Sequence, residues 1–269
     1  MAFFEVEKEK GVATLWLNNP ENHNLMRWEF WEELPKHIKQ LEQEKDVNCI
    51  RIAGKGDAFS AGLDILDVFQ KKKEISLQAN AEERLELYET IVLMQNAINC
   101  VYECTKPVVA AIHGYCIGGG LDLISACDIR VASKTAIFSL REVRVAIVAD
   151  MGSLQRLPAI IGEGITRDLA LTGRDFNAEE ALRIGLITHL YETDDQLFDQ
   201  SFKFCLKIAK NSAFVTKGVK HVLNKQRDMT LSDSLNYVLL YNSAFLHSKD
   251  LQKTVERFEK LMKKSTKNK

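Results

Sequence analysis

The sequence predicts an α/β fold in which strands and helices alternate over residues 1–195 and helices follow over residues 196–269. Three observations support this prediction. Residues 3–18 alternate apolar and polar side chains around Gly11, as a β-hairpin does. Residues 107–112 form a continuous apolar run, which is typical of a strand covered on both faces. The last third of the chain carries apolar residues at helical spacing and no Pro- or Gly-rich linker.

The remaining elements follow from the spacing of apolar residues. Phe30, Leu34, Ile38 and Leu41 recur every three or four positions, which predicts a helix over residues 26–44 despite Pro35. The same spacing predicts a long helix over 78–104 and helices over 214–225, 231–246 and 249–262. Short apolar runs predict strands at 47–54, 128–133, 136–140 and 186–191, with a short helix between the glycines at 118–120 and residue 128.

Two helix starts are marked by capping signals. Asn177 precedes Glu180 by three residues, and Thr193 precedes Gln196 by three. A side-chain oxygen at the first of these positions accepts a hydrogen bond from a free amide of the first helical turn. We therefore expect helices to begin directly after Asn177 and Thr193.

Composition excludes several classes of function. The 269 residues carry 36 Lys and Arg against 37 Asp and Glu, so the net charge of −1 provides no field for a polyanion, and we expect no nucleic-acid partner. The longest uncharged stretch, Pro107–Leu121, is shorter than the roughly 20 apolar residues that a membrane helix needs. We expect no membrane association, and a start without an apolar or Arg-rich leader predicts a cytoplasmic location.

The cysteines and histidines predict no metal or redox site. Six cysteines occur at irregular spacing in apolar segments without a CxxC pair, so we interpret them as reduced core thiols. The six histidines are scattered along the chain.

The first candidate for chemistry is the triple glycine at Gly118, Gly119 and Gly120, which follows a predicted buried strand and precedes a predicted helix. Glycines let the backbone approach a ligand closely, and the free amides of a helix start bind negative charge. The spacing fits neither a dinucleotide fingerprint nor a phosphate loop. An oxyanion-stabilising turn remains, with a tight packing turn as the alternative.

A second loop, Ala58 to Asp64, follows the predicted strand ending near Gly54. It can present another backbone amide, and two amides from separate loops form a hole for one oxyanion. Ser60 has no base beside it in the sequence, and Asp64 is interpreted as the cap of a following helix. The hypothesis for this loop therefore concerns its backbone.

Three carboxylates, Asp122, Glu142 and Asp150, lie close to apolar runs in the middle of the chain. A carboxyl group in apolar surroundings has a raised pKa and becomes usable as an acid near neutral pH. The alternative is that Asp150 is a buried acid paired with one of the arginines Arg141, Arg144 and Arg156.

Together these segments resemble the crotonase (enoyl-CoA hydratase/isomerase) superfamily. The resemblance rests on Asn19-Pro20, FSAGLDI at 59–65, the segment 106–133 and LQRLPAIIG at 154–162. It implies a spiral of ββα turns with a C-terminal helical region that assembles homotrimers or dimers of trimers. It also implies an acyl-CoA substrate, with coenzyme A as part of the substrate and no separate cofactor, and a setting in fatty-acid β-oxidation.

The resemblance also implies roles for residues of this chain. The thioester oxygen is expected at the backbone amides of Leu63 and Gly119. Hydratases of the superfamily use two glutamates, at positions that match Asp122 and Glu142, and the shorter Asp122 argues against simple hydration. The residues expected to contact substrate or CoA are Ser60, Ala61, Gly62, Leu63, Asp64 and Gly119.

The segment 141–158, REVRVAIVADMGSLQRLP, together with GGGLD at 118–122 and SLNYV at 234–238, looks like the Δ3,5-Δ2,4-dienoyl-CoA isomerases. These enzymes take a proton from C2 and return one at C6, and two remote carbons are best served by two acid/base groups. The hypothesis assigns Glu142 to C2, protonated Asp150 to C6 and an electrostatic role to Asp122. The sequence does not orient the acyl chain, so the first two roles are interchangeable here.

Three other functions remain open at this point. A simple enoyl-CoA hydratase is one, and a Δ3-Δ2-enoyl-CoA isomerase that depends chiefly on Glu142 is another. The third, from a different class, is a noncatalytic acyl-CoA-binding or RNA-binding homologue, against which the retained carboxylates and the neutral chain argue.

Overall fold

The structure, a computed structural model, describes residues 2–72 and 80–267. The chain divides into two compact units, Met1–Lys210 and Asn211–Lys269. In the described residues, the first unit contains both sheets and eight α-helices, and the second unit contains only helices. The expected boundary after residue 195 differs from this division, because the helix that begins at Asp194 packs its apolar face on the large sheet and so belongs to the first unit.

The large sheet has six strands in the order β1-β2-β3-β4-β6-β9. β1 and β2 form the expected antiparallel hairpin, and every following neighbour in this sheet is parallel. The strands are β1 Phe4–Glu9, β2 Val12–Leu17, β3 Cys49–Gly54, β4 Val108–Ile112, β6 Ile129–Ser133 and β9 His189–Tyr191.

A small second sheet lies beside the glycine turn. It consists of β5 Tyr115–Ile117, β7 Ile137–Ser139 and β8 Asp175–Asn177, with β7 in the middle. β7 was expected from its apolar residues, whereas β5 and β8 were not predicted. Each has three residues, and β8 pairs with a strand more than 30 residues earlier in the chain, so local spacing carries no signal for it.

The helices of the first unit confirm the expected alternation. The long helix expected over 78–104 spans Ala81–Glu103, and residues 78 and 79 lie outside the described residues. The eight helices are α1 Trp28–Gln43, α2 Ile65–Lys71, α3 Ala81–Glu103, α4 Gly119–Ala126, α5 Ser153–Ile161, α6 Glu163–Thr172, α7 Ala178–Arg183 and α8 Asp194–Ala209. The expected caps are present, since Asn177 Oδ1 accepts from Glu180 N at 2.9 Å and Thr193 Oγ1 accepts from Gln196 N at 3.2 Å.

The large sheet is covered on both faces, which explains the continuous apolar run of β4. Val108 and Ala110 of β4 belong to the main core, which also contains α1, α3 and α4. Val109 and Ala111 point to the other face, where they pack with apolar residues of α8. Burial on two faces makes β4 a rigid platform directly before β5 and the glycine turn.

The second unit consists of α9 Ala213–Lys225, α10 Leu231–Phe245 and α11 Lys249–Lys267. These ranges agree with the three helices expected from spacing. All six cysteines are free thiols, and five of them are buried. Among the described residues, no helix combines the length and apolar character needed to cross a membrane.

Candidate active site

The glycine turn joins the small sheet to α4. Gly118 has φ +49° and donates its N–H to Ser139 O of β7 at 2.9 Å, and α4 begins at the next residue. A left-handed backbone at this point favours glycine, and it turns the chain sharply from β5 into the helix. The first amides of α4 therefore point out of the turn with no carbonyl of a preceding helical turn to accept from them.

The loop before α2 is held by its own backbone and by Ser60. Ser60 Oγ donates to Asn24 O at 2.8 Å and accepts from Gly62 N at 3.1 Å. Gly62 O accepts from Met26 N at 2.7 Å, and Asp64 N donates to Met26 O at 3.1 Å. The amide between them, that of Leu63, is left pointing away from these contacts.

The two loops approach closely through glycines. A Cβ placed on Gly62 would lie 2.7 Å from Ile117 O and 3.5 Å from Gly119 N, and one placed on Gly119 would lie 3.7 Å from Leu63 N. In the described part of the chain, the N–H groups of Leu63 and Gly119 donate to no protein acceptor. Two free donors from separate loops thus lie side by side, which is the arrangement that binds an oxyanion.

These amides open into a cavity of about 190 Å³. The cavity wall combines the two loops with side chains from α1, α3, α4 and the segment 141–151. The lining residues are Trp31, Ala61, Gly62, Leu63, Ile65, Met94, Ile117, Gly118, Gly119, Asp122, Arg141, Glu142, Val145, Ile147, Asp150 and Met151. All three predicted carboxylates are therefore brought to one largely apolar cavity, together with the two amides.

Glu142 begins a short 3-10 helix, Glu142–Val145, after β7. The preceding residue, Arg141, makes a two-oxygen ion pair with Asp175 of β8 at 2.7 and 2.8 Å, which anchors this segment to the small sheet. Glu142 Oε2 is buried and has no hydrogen-bond partner among the described residues. Burial, followed by the negative charge of Asp122, raises the pKa of Glu142 to about 7.

Asp122 lies in the first turn of α4 and is 1% exposed. Its Oδ1 accepts from Ser153 N, the first amide of α5, at 2.8 Å. Burial raises the pKa of Asp122 to about 6, and the hydrogen bond from the Ser153 amide and the positive charge of Arg156 limit the rise. Asp122 therefore keeps its charge more readily than Glu142 does.

Asp150 lies in the turn before α5, and its backbone carbonyl accepts from Gln95 Nε2 of α3 at 2.8 Å. Burial raises the pKa of its carboxyl group above the ordinary value. Within residues 2–72 and 80–267, no Lys, Arg or His nitrogen forms an ion pair with this carboxylate. Arg141 and Arg144 instead lie near Asp175, so the ion-pair interpretation of Asp150 has no support.

The carboxylates influence one another. The negative charges of Asp122 and Asp150 each disfavour ionisation of Glu142, and Asp150 disfavours ionisation of Asp122. Such a cluster holds a proton near neutral pH, because the ionisation of one member raises the pKa of the next. A site with a proton acceptor, a proton donor and two amides for an oxyanion can move a proton between carbon atoms next to a carbonyl group.

The other residues expected to contact substrate or CoA lie in two groups. Ala61 and Gly62 line the cavity, whereas Ser60 is fully buried behind it and Asp64 Oδ1 caps α2 by accepting from Asp67 N at 3.0 Å. Trp31, Met94 and Gln95 belong to the site or its support and were not expected there. Trp31 and Met94 are apolar residues at helical spacing, and that signal is the same for a core position as for a cavity wall.

The described residues contain no group of three His, Cys, Asp or Glu side chains that is placed to hold a metal ion.

Comparisons with known proteins identify the family of this chain. The family model described as enoyl-CoA hydratase/isomerase matches residues 7–268. A mitochondrial Δ(3,5)-Δ(2,4)-dienoyl-CoA isomerase of Dictyostelium discoideum is 38% identical over 92% of this chain and 84% of its own length. A peroxisomal enzyme of the same name from Arabidopsis thaliana is 39% identical over 92% of this chain and 89% of its own length.

Solved structures give the same result for the fold. The crystal structure of an enoyl-CoA hydratase from Bacillus anthracis superposes with a TM-score of 0.86 and 26% sequence identity, covering 96% of each chain. The expected crotonase-like α/β fold with a C-terminal helical region is confirmed. The names of the relatives above refer to mitochondria and peroxisomes, so the cytoplasmic location stays a prediction. Because the family model covers nearly the whole chain and relatives at 38 to 39% identity cover most of it, this chain belongs to the enoyl-CoA hydratase/isomerase family.

Proposed function

We propose that this protein isomerises 3,5-dienoyl-CoA to 2,4-dienoyl-CoA. The observation that carries the proposal is the presence of Glu142, Asp150 and Asp122 in one cavity with the free amides of Leu63 and Gly119. A reaction that removes a proton at one carbon and returns one at a distant carbon needs two acid/base groups. The similarity to proteins named dienoyl-CoA isomerase supports the same substrate.

The proposed reaction begins at C2. The thioester oxygen accepts hydrogen bonds from Leu63 N and Gly119 N, which stabilise the negative charge that develops on it. Glu142 removes the C2 proton. Its placement supports this role, because a Cβ on Gly118, the neighbour of the Gly119 amide, would lie 3.2 Å from Glu142 Oε1. C2 is bonded to the thioester carbon, so a base for C2 must lie close to the oxyanion hole.

The second step returns a proton at C6. The electron pair of the broken C2–H bond forms the C2–C3 double bond, the C3–C4 pair forms the C4–C5 double bond, and the C5–C6 pair takes a proton from Asp150. Glu142 is then protonated and Asp150 is ionised, and exchange of one proton with water at each group restores the starting state. No electron is gained or lost overall, so the proposal requires no cofactor beyond the CoA of the substrate.

Asp122 acts through charge in this proposal. Its buried carboxylate disfavours ionisation of Glu142 and so strengthens Glu142 as a base. The amide of Ser153 holds one oxygen of Asp122 at 2.8 Å. One oxygen of Asp122 is therefore fixed by the start of α5, which suits an electrostatic role better than proton transfer.

The test is turnover of a 3,5-dienoyl-CoA, followed by the ultraviolet absorbance of the conjugated product. We expect turnover by the wild-type protein and a loss of about 10²-fold or more in Asp150→Asn, as is typical when a general acid is removed. Asp199→Asn is the matched control, since Asp199 is exposed and its carboxylate contacts two neighbours on its own helix, Gln200 at 2.9 Å and Lys203 at 2.7 Å.

Three results would reject this function. Hydration of a 2-enoyl-CoA without dienoyl turnover would indicate a hydratase. Conversion of a 3-enoyl-CoA that is unaffected by Asp150→Asn would indicate a Δ3-Δ2 isomerase with Glu142 as its only base. Binding of acyl-CoA or of RNA without any turnover would indicate a noncatalytic homologue.

We also propose that the protein assembles as a homotrimer or a dimer of trimers. Support comes from the second unit, which exposes large apolar side chains on all three of its helices. On α10, Leu231, Leu235 and Leu239 recur every four residues and are 78%, 59% and 62% exposed. Contiguous apolar surface of this kind typically marks a protein–protein interface.

A further inference from the structure

Arg156 is a buried cation that the proposed reaction does not use. It lies in the first turns of α5 and is 8% exposed. Its Nη2 donates to Asn99 Oδ1 of α3, and its Nη1 donates to Met151 O at 3.3 Å. Its guanidinium carbon lies 5.7 Å from the ring centre of Tyr102. A buried charge with contacts on two elements is costly unless it is paired and hydrogen-bonded, so its contacts need an explanation.

Arg156 folds back over the turn that carries Asp150. Gly152 has φ +110°, and a Cβ placed on it would lie 2.0 Å from Arg156 Nη1. A side chain at position 152 therefore cannot coexist with the observed position of the guanidinium group. The turn and the arginine fit each other only because residue 152 is glycine.

One face of α3 supports this arrangement. Gln95, Asn99 and Tyr102 are spaced by four and three residues, so they lie on the same side of the helix. Gln95 holds the carbonyl of Asp150, Asn99 holds Arg156, and Tyr102 packs against the guanidinium group. The turn from Asp150 to Ser153 is thus held by Gln95 of α3 and by Arg156, which α3 holds in turn through Asn99.

The same turn connects two carboxylates of the cavity. Asp150 lies at its start, and Ser153 at its end donates its amide to Asp122 Oδ1. A shift of this turn would move the Asp150 carboxyl and the hydrogen bond to Asp122 together. Arg156 also places a positive charge near Asp122, which favours the ionised form of that carboxyl.

We propose that Arg156, oriented by Asn99, is a positioning residue that fixes the turn from Asp150 to Ser153 and thereby sets the relation between Asp150 and Asp122 in the cavity. It contacts neither the substrate cavity nor the reacting atoms. The expected effect on turnover rests on the proposed isomerase function. The effect of the Arg156 charge on the pKa of Asp122 is independent of that function.

The kinetic test compares Arg156→Met, Arg156→Lys and Asn99→Ala with the wild type. Misplacement of catalytic groups by about 1 Å costs up to about 10²-fold in rate, so we expect kcat to fall between about 10-fold and 100-fold in Arg156→Met. KM should change less than kcat, because the amides and the parts of the cavity wall outside this turn are untouched. Arg156→Lys keeps the charge and should recover part of the loss, and Asn99→Ala should give a smaller loss of the same kind.

The matched control is Arg167→Met, which removes an exposed arginine that pairs with Glu163 on α6 at 2.6 Å. A merely structural role for Arg156 would lower the amount of folded protein without changing kcat per folded site. Unchanged kcat in both Arg156→Met and Asn99→Ala, with wild-type turnover intact, would overturn the inference.

A second measurement is independent of turnover. The pKa of Asp122, followed by carbon-13 NMR of its carboxyl group, should rise in Arg156→Met because a positive charge is removed, and should change little in Arg156→Lys. Among the described residues, the titratable groups coupled to Asp122 are Glu142, Asp150, Arg156 and the buried thiol of Cys116, and the Ser153 amide adds a hydrogen bond. If the wild type lacks dienoyl turnover, the proposed function fails. If the pKa of Asp122 is the same in Arg156→Met as in the wild type, the inference about Arg156 is overturned, whatever the turnover.

Discussion

The Glu142 carboxylate packs against the α-carbon of Gly118, so that a Cβ on Gly118 would lie 3.2 Å from Glu142 Oε1. The base proposed for C2 therefore lies beside Gly118. The next residue, Gly119, supplies one of the two amides of the proposed oxyanion hole. The absence of a side chain at position 118 serves two purposes. It permits φ +49° at the start of α4, and it leaves space for a carboxylate next to the hole.

This relation predicts the effect of Gly118→Ala. The added methyl group crowds Glu142 Oε1, and the backbone conformation at position 118 strains an alanine by about 1 to 3 kcal/mol. We expect kcat to fall at least about tenfold, since small displacements of a catalytic group are costly. The measurement is steady-state kinetics on a 3,5-dienoyl-CoA together with thermal unfolding.

Gly164→Ala is the control for that change. Gly164 lies inside α6, and a Cβ there would meet nothing within 4 Å. Alanine is favoured over glycine in a helix by about 1 kcal/mol, so this variant should be slightly more stable and fully active. Full activity in Gly118→Ala would contradict the placement of Glu142 beside the hole as a requirement for catalysis.

The pH profile should report Glu142 and its neighbour Asp122. Glu142 must be ionised to accept the C2 proton, so kcat/KM should fall as the pH drops below its pKa of about 7. The negative charge of Asp122 contributes to this raised pKa. In Asp122→Asn that charge is gone, the pKa of Glu142 falls, and the acidic limb of the profile should move to lower pH.

This prediction is checked with kcat/KM measured from about pH 5 to about pH 9 in wild type and Asp122→Asn. Asp199→Asn, remote from the cavity, should leave the profile in place. An acidic limb that does not move would show that Asp122 does not tune the base.

The stability of the protein should also depend on Glu142. Its pKa is about 7 in the folded state and near 4.5 when unshifted, so the folded state binds the proton more tightly. That contribution is present at low pH and is lost as the pH rises through about 7. At pH 8 the wild type therefore holds a buried charge that Glu142→Gln lacks.

We expect Glu142→Gln to be more stable than the wild type at about pH 8, by about 1 to 3 kcal/mol, and to show little difference near pH 4. Urea unfolding at both pH values measures this. Glu163→Gln is the control, since Glu163 is exposed and pairs on the surface with Arg167. Equal stability of wild type and Glu142→Gln at the higher pH would mean that Glu142 is not desolvated in solution.

Much of the fold was predictable because buried positions are occupied by apolar residues in a pattern that can be read from neighbouring positions in the sequence. The two faces of β4 are both covered, which is why residues 107–112 are apolar without alternation. The cap at Asn177 needs one side chain and one amide three residues away. β5 and β8 could not be predicted in this way. Three residues are too few to show an alternation of apolar and polar side chains, and the pairing of these strands depends on residues distant in the sequence.

The candidate site also has a part that the sequence predicted and a part that it did not. The glycine-rich loops predicted only that the backbone approaches a ligand closely there. The choice of the Leu63 and Gly119 amides came from the resemblance to the family. The contribution of α3 was not predictable, because helical spacing shows that Met94 faces inward without showing that it faces a cavity. The support of the Asp150 turn by Gln95 and Asn99 depends on how a long helix lies against a loop, and the sequence holds no short-range signal for that.

The exposed leucines of α10 predict assembly. Leu235 and Leu239 lie one turn apart and are 59% and 62% exposed, so a charge at both should disrupt an interface formed by this face. We expect the wild type to have three or six times the monomer mass by light scattering, and Leu235→Glu/Leu239→Glu to shift to monomer. Leu171→Glu on α6, at an isolated residue that is 74% exposed, is the control and should keep the wild-type mass. A monomeric wild type would reject the proposed trimer. An unchanged mass in the double variant would show that the interface does not include this face of α10. Two buried like charges per subunit would otherwise cause a large loss of affinity.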